Sequence, residues 1–225
     1  MDFSIFENKI GVLFKDKRLL EQAFVHRSYI NENRSFHLPH NERLEFLGDA
    51  VLELAITDYL FRKFPDKTEG DLTSYRAALV NANTLAGVAT SLGVNDFLLL
   101  SHGEAKDTGR ARQFILADAM EAIIGAIYLD QGYDVSKEFI SRSVFSLIDS
   151  IIEQGAWIDA KSRFQEIAQE KTGITPSYKT LKEIGPDHDK RFTVGVFLDN
   201  ELIGQGDGKS KQEALAQITE EFVNY

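Results

Sequence analysis

Before residue 155 no long run alternates apolar and polar residues with period two. A chain without that alternation cannot build a half-buried sheet, so this stretch must bury its apolar residues on helices. Residues 41–64 are apolar at Leu44, Leu47, Val51, Leu54 and Ala55, which is helical spacing, and Pro65 ends the pattern because its ring blocks the helical hydrogen bond. Residues 69–92 are rich in Ala and Leu with Asn, Thr and Ser interruptions, and read as two helices. Residues 114–129 form a strongly apolar helix before the stop signal Gly132, and residues 134–152 read as one more amphipathic helix. The expected class for residues 1–154 is all-α.

The pattern then changes. Gln154-Gly155-Ala156 suits a linker, placed at 155–158, and residues 159–225 follow as a second domain. Residues 159–172 suit a helix stopped at Gly173. Three strand-like runs come next, at 177–184, 191–198 and 201–205. The middle one, RFTVGVFL, is rich in the β-branched and aromatic residues that fit a pleated surface. Asp199-Asn200 suits a hairpin turn, and residues 209–223 close as a helix. The order α-β-β-β-α is a small α+β domain.

With 25 basic and 35 acidic residues the net charge is −10. Residues 1–160 carry a net −8 and residues 161–225 a net −2, whereas phosphate binders are usually basic. The chain has no cysteine, which excludes disulfides, thiolate metal sites and a cysteine nucleophile. Its absence is compatible with a reducing compartment, and a cytoplasmic location is the expectation. MDFSIFENKI has acids and no long apolar core, unlike a secretory signal. The longest apolar stretch, residues 122–129, is too short to cross a bilayer, so no membrane association is expected.

Two acidic groupings carry possible chemistry. NERLEFLGDA places Glu42, Glu45 and Asp49 at i, i+3 and i+7, one face of a helix. LADAMEAIIGAIYLD places Asp118 and Glu121 at i and i+3 among Ile115, Leu116, Ala119, Ile123 and Ile124. A carboxylate in such surroundings is costly unless paired or metal-bound. Converging carboxylates repel one another, and a hard divalent cation such as Mg²⁺, which takes oxygen ligands, relieves this. The alternative is a solvated acidic helix face. Glu53 continues the Asp49 face and reads as surface. His26, His37, His40 and His102 have no zinc-like spacing.

NERLEFLGDA resembles the signature of the ribonuclease III family. AFVHRSYINE before it, TEGDLTSYRAALVN after it and GEAKDTGRARQFILADAMEAIIGAIYLDQG further on are similar to the family's other motifs, in family order. The resemblance implies an Mg²⁺-dependent endoribonuclease, with Mn²⁺ a plausible substitute. It would cut double-stranded RNA to 5′-phosphate and 3′-hydroxyl ends with short 3′ overhangs, in processing of precursors such as ribosomal RNA. By the same resemblance Glu45, Asp49, Asp118 and Glu121 match metal-site carboxylates, with Asp49 and Glu121 the catalytic pair. Glu42 matches a further signature acid and Glu69 an acid near the site. A homodimer is implied, with Phe46 at a dimer-contact position, although helical geometry alone reads Phe46 as core. One departure is Gln113-Phe114, where family members commonly carry Glu-Ser.

Residues 159–225 resemble a double-stranded RNA-binding domain, which reads duplex shape, 2′-hydroxyls and phosphates. Gln165 and His188 match minor-groove contacts, and Lys209 and Lys211 in GQGDGKSKQEA match phosphate contacts. Departures are Gln212 in place of a third lysine, and Ile218 and Thr219 in place of small alanines. GDGKSK lacks the spacing of a nucleotide-binding P-loop. Two other functions are open to such a sequence: a double-stranded RNA-binding protein that does not cut, which the complete acid set opposes, and a metal-dependent nucleotide hydrolase, which the RNA-binding-like tail opposes.

Overall fold

The computed structural model describes residues 2–153, 160–186, 190–211, 213–215 and 217–218. The chain divides into two compact units, residues 1–157 and 158–225.

The first unit is helical: α1 Ser4–Ile10, α2 Lys17–Ala23, α3 Arg27–Glu32, α4 Glu42–Lys63, α5 Glu69–Val80, α6 Ala82–Ser91, α7 His102–Lys106, α8 Arg110–Gln131, α9 Tyr133–Ser143 and α10 Ile148–Glu153. Among its described residues β pairing is confined to an isolated bridge, Val25 with Leu99. The two long helices, α4 and α8, are packed against each other through the middle of the unit. Leu52, Ala55, Ile56 and Leu60 of α4 meet Ala119, Met120, Ile123 and Ile127 of α8 in one fully sheltered core. Burying each of the larger aliphatic side chains contributes about 1.5–3 kcal/mol. The remaining helices wrap this pair, and Phe3, Phe6, Phe24 and Phe97 seal one end as a ring cluster with centroids 5.0–6.1 Å apart.

The expected helices are present with two differences. Residues 69–92 form two helices as expected, parted at Asn81, whose side chain caps α6 by accepting from the Thr84 amide at 2.9 Å. Residues 134–152 are not one helix. The chain leaves helical geometry at Val144 (φ −119°, ψ −43°), makes a 3₁₀ turn at Phe145–Leu147 and restarts as α10. The kink lets Phe145 join Phe139 and Ile140 in the core; on a straight helix at about 100° per residue it would point about 120–140° away from them. Leu54 was expected inside and is 58% exposed; Leu52 takes the core instead.

In the second unit, α11 (Ala160–Thr172) ends at Gly173, whose φ of +71° suits glycine. Strands β1 (Ser177–Ile184), β2 (Arg191–Leu198) and β3 (Glu201–Gly208) form an antiparallel sheet in that order. Asp199 holds a positive φ of 53° in the two-residue turn before β3, a conformation a short polar side chain tolerates. Residues 211, 213–215 and 217–218 are helical; the rest of the closing helix expected at 209–223 lies outside the described residues, as does the expected linker at 155–158. Val194 and Val196 of β2 pack with Phe164 and Ala168 of α11 and with Ala214 and Ile218, so both helical segments lie on one face of the sheet.

Strand β3 runs three residues further than its sequence implied, because GDG reads as a turn. Gly206 and Gly208 extend it for a reason of space. A Cβ on Gly206 would lie 2.5 Å from the Ala214 carbonyl oxygen and 2.7 Å from Ile218 Cγ1, and one on Gly208 would lie 2.4 Å from the Ala214 nitrogen. The strand can carry the closing helix this closely only without side chains. Ile218, larger than an alanine, fills the space that Gly206 leaves.

Candidate active site

The acids of α4 and α8 are brought together by two glycines. A Cβ on Gly48 would fall 1.8 Å from the Glu121 carbonyl oxygen and 2.8 Å from the Gly125 nitrogen. A Cβ on Gly125 would fall 2.2 Å from the Leu44 carbonyl oxygen. The two backbones therefore touch, Leu44 beside Gly125 and Gly48 beside Glu121, with the helices running in opposite directions. Glycine inside a helix costs about 1 kcal/mol relative to alanine. Two of them at one crossing mark a place where close approach is needed. The crossing lies between Glu45 and Asp49 on α4 and at Glu121 on α8. The local sequence pattern does not reveal it, since Gly125 is one small residue within the apolar stretch 122–129. An interior glycine in each of two long helices, in phase with acids, is the signal that could have found it.

The start of α4 is fixed by Asn41, which is 2% exposed. Its side-chain amide donates to the Ala23 carbonyl at 3.1 Å and its backbone amide to the Val25 carbonyl at 2.9 Å. This ties the acidic turn to the α2–α3 junction, where His26 Nδ1 lies 2.7 Å from Ser28 Oγ.

Electrostatically the acids form one group. Burial pushes the Glu121 carboxyl up to about 8, helped by Asp49, Asp118, Glu45 and then Glu53. Burial, then Asp118, Glu42 and Asp49, push Glu45 up to about 6. Asp118 is raised by burial and then by Glu42. Among the described residues, every neighbouring charge named as acting on these three is another acid. Glu53, expected to be plain surface, lies within reach of Glu121 and is half-buried. Glu42 sits at the edge, 3.5 Å from Arg27 and 3.7 Å from His40. Glu69 lies apart, at the start of α5, accepting from the Thr73 hydroxyl at 2.9 Å beside Phe61 and Arg76.

The donor set is carboxylate oxygen without sulfur or imidazole, which suits a hard cation. Among the described residues no three acids or histidines stand close enough to grip an ion outright. The fit to a divalent metal rests instead on mutual repulsion in a partly dry setting, which only opposite charge relieves.

Phe46, one residue beyond Glu45, is 81% exposed, so it is not core. It rims a groove of about 830 Å³ whose apolar lining includes Leu19, Pro39, Leu44, Leu47 and Leu129. In the second unit Gln165 is half-buried on α11, while Lys209 and Lys211 are exposed where β3 passes into the closing helix. Lys211 Nζ lies 5.7 Å from the centre of the Phe192 ring. His188, Gln212 and Thr219 lie outside the described residues.

Comparison with known proteins agrees with this layout. The sequence model of the family described as Ribonuclease-III-like matches residues 16–148, and that of the double-stranded RNA binding motif matches residues 160–221. The chain is 45% identical to Ribonuclease 3 of Desulforamulus reducens over 97% of its own length and 89% of that protein. It is 46% identical to Ribonuclease 3 of Enterococcus faecalis over 95% and 93%. A solved nuclease domain of ribonuclease III from Campylobacter jejuni, studied for flexibility in its dimer-forming region, is 43% identical. It covers 64% of this chain and 97% of that domain at a TM-score of 0.59.

Proposed function

The chain belongs to the ribonuclease III family of double-stranded-RNA endoribonucleases, and we propose that it hydrolyses phosphodiester bonds in duplex RNA with Mg²⁺ held by Glu45, Asp49, Asp118 and Glu121. The observation that carries this reading is the backbone-to-backbone crossing at Gly48 and Gly125, which gathers these acids without a basic partner for the three whose carboxyls are raised. Mg²⁺ bound there supplies charge neutralisation of the scissile phosphate and an activated water for in-line attack at phosphorus. Mn²⁺ is a plausible substitute. The carboxylates hold and orient; they are not the nucleophile. Asp49 and Glu121 flank the crossing and are assigned the most direct roles. Glu42, held by Arg27 and His40 at the rim, orients the approach to the site.

The second unit grips the duplex through Gln165, His188, Lys209 and Lys211. The domain limits proposed are 1–154 and 159–225. Two copies of the chain pair through the faces that carry Phe46, each ring entering the apolar groove beside the partner's ring, so that two sites cut the two strands. The expected products are 5′-phosphate and 3′-hydroxyl ends with short 3′ overhangs, and the substrates are structured precursors such as ribosomal RNA. No described helix is long and apolar enough to cross a membrane, and we place the protein in the cytoplasm.

The test is incubation of a long perfect duplex with the protein in Mg²⁺, in Ca²⁺ and in chelator. Cleavage to short duplexes in Mg²⁺ alone, lost in Glu121→Gln while RNA binding persists, supports the reading. An intact duplex in Mg²⁺ overturns it.

A further inference from the structure

The first turns of α8 carry a feature that the acid cluster does not explain. Phe114 is 47% exposed, whereas its neighbours Ile115 and Leu116 are each 6% exposed. The guanidinium carbon of Arg110, one turn earlier, lies 5.7 Å from the centre of the Phe114 ring. At about 100° per residue, Arg110, Phe114, Asp118 and Glu121 fall within an arc of about 80° on α8. The stacked pair therefore continues the face of the metal-site acids toward the helix start. Arg112, two residues on, is occupied elsewhere. It donates to the carbonyls of Glu104 at 2.6 Å and Asp107 at 3.1 Å and so braces the preceding turn.

On the proposed cleavage of duplex RNA at the acid cluster, we propose that Arg110 and Phe114 form a substrate-positioning pair that takes a backbone phosphate of the duplex a few steps along from the scissile bond. Arg110 and Asp118 are eight residues apart, about 12 Å along the axis. That is roughly three to four base-pair steps of a nucleic acid strand, within the length of one duplex lying across the site. The guanidinium fork suits phosphate oxygens, and the ring face holds its plane while leaving its edge open to a ligand. The pair also places a cation where the surrounding unit is strongly acidic. A small polar side chain such as serine at this position could not hold the guanidinium in this way.

Binding is read in the full-length Glu121→Gln background, where the RNA stays whole, by titrating a short hairpin duplex across a salt series. Cleavage kinetics are read in the otherwise unaltered protein. Arg110→Ala should raise KM about 5-fold with kcat retained and flatten the slope of log affinity against log salt by about 1. Phe114→Ser should raise KM about 2- to 5-fold, Phe114→Tyr should restore it, and the double variant should be no worse than Arg110→Ala. A purely structural role would leave the salt slope where it was. An unchanged slope and KM in Arg110→Ala, or equal behaviour of Phe114→Ser and Phe114→Tyr, overturns the proposal. Failure of the unaltered protein to cleave overturns the nuclease reading, and the salt slope still reads the pair in that case.

Discussion

Glu121→Gln should stabilise the metal-free protein, and should do so more as the pH rises. The Glu121 carboxyl is pushed from 4.5 to about 8 in the folded state, by burial first and by its acidic neighbours second. Below pH 4.5 the group is protonated both folded and unfolded, and it costs nothing. Between 4.5 and 8 the unfolded chain ionises while the folded one retains the proton, so fewer protons are bound on unfolding and stability falls with pH. Above 8 the full cost is present. A fully sealed carboxyl with this gap would cost about 5 kcal/mol. Glu121 is only partly sheltered, and solvent reduces this to about 1–2 kcal/mol. Glutamine keeps the shape and removes the charge.

Thermal unfolding in chelator at fixed protein concentration is the assay. A gain of about 1–2 kcal/mol in a helical unit of this size raises Tm by about 2–8 °C at pH 8. The gain should shrink at pH 6 and vanish near pH 4.5. Saturating Mg²⁺ should raise the Tm of the unaltered protein at pH 8, because it binds only the folded form, and should raise that of Glu121→Gln much less. A variant that is less stable than its parent at pH 8, or whose advantage does not change with pH, would refute the account of Glu121 as a buried carboxyl crowded by other acids.

Gly48→Ala should destabilise the helical unit by about 3 kcal/mol, and abolish cleavage even where it folds, because the clash is with the Glu121 carbonyl rather than a movable side chain. Gly87→Ala on α6 meets nothing within 4 Å and should gain about 0.5–1 kcal/mol; chemical denaturation of both variants checks the contrast. Lys209→Ala with Lys211→Ala should flatten the salt slope of RNA binding by about 2, and the unaltered protein should already show a shallower slope than a lysine-rich domain of the same kind. Phe46→Glu should yield a monomer in sedimentation analysis and lower activity at dilute protein; a dimer of unchanged affinity would remove Phe46 from the interface.

The class of each unit was legible because hydrophobic period is a local signal. RFTVGVFL is strand β2 at its expected limits, and residues 41–64 become α4 within a residue at each end. What local pattern hides is space shared between distant segments. Nothing in GDG says that Ala214 will lie against it, so β3 reads short. Nothing near Val144 says that Phe145 and Ile148 must both turn inward, so one helix is expected where two stand. The acids were legible as residues but not as a group. Spacing alone favours a solvated face over a metal site, and the glycine crossing that brings the acids into one group joins positions far apart in the chain. The resemblance of the motifs supplied what spacing could not. Phe46 shows the same limit in reverse: helical phase placed it inside, whereas 81% of it faces out.

A net charge of −10 would ordinarily oppose a polyanionic partner, and its distribution makes the opposition selective. If the acids gathered at the α4–α8 crossing hold a divalent ion as proposed, they repel RNA until that ion inverts their sign. The rest of the excess is spread over the surface and slows approach at low salt. Attraction must then come from a few placed cations, Lys209 and Lys211 in one unit and the ring-backed Arg110 in the other. A uniformly basic surface would hold any duplex anywhere along its length. On the proposed reading, a few placed cations favour only those placements that bring a phosphate to the acid cluster. On the proposed reading, the same burial and repulsion that raise the Glu121 carboxyl make productive binding of RNA conditional on the divalent ion.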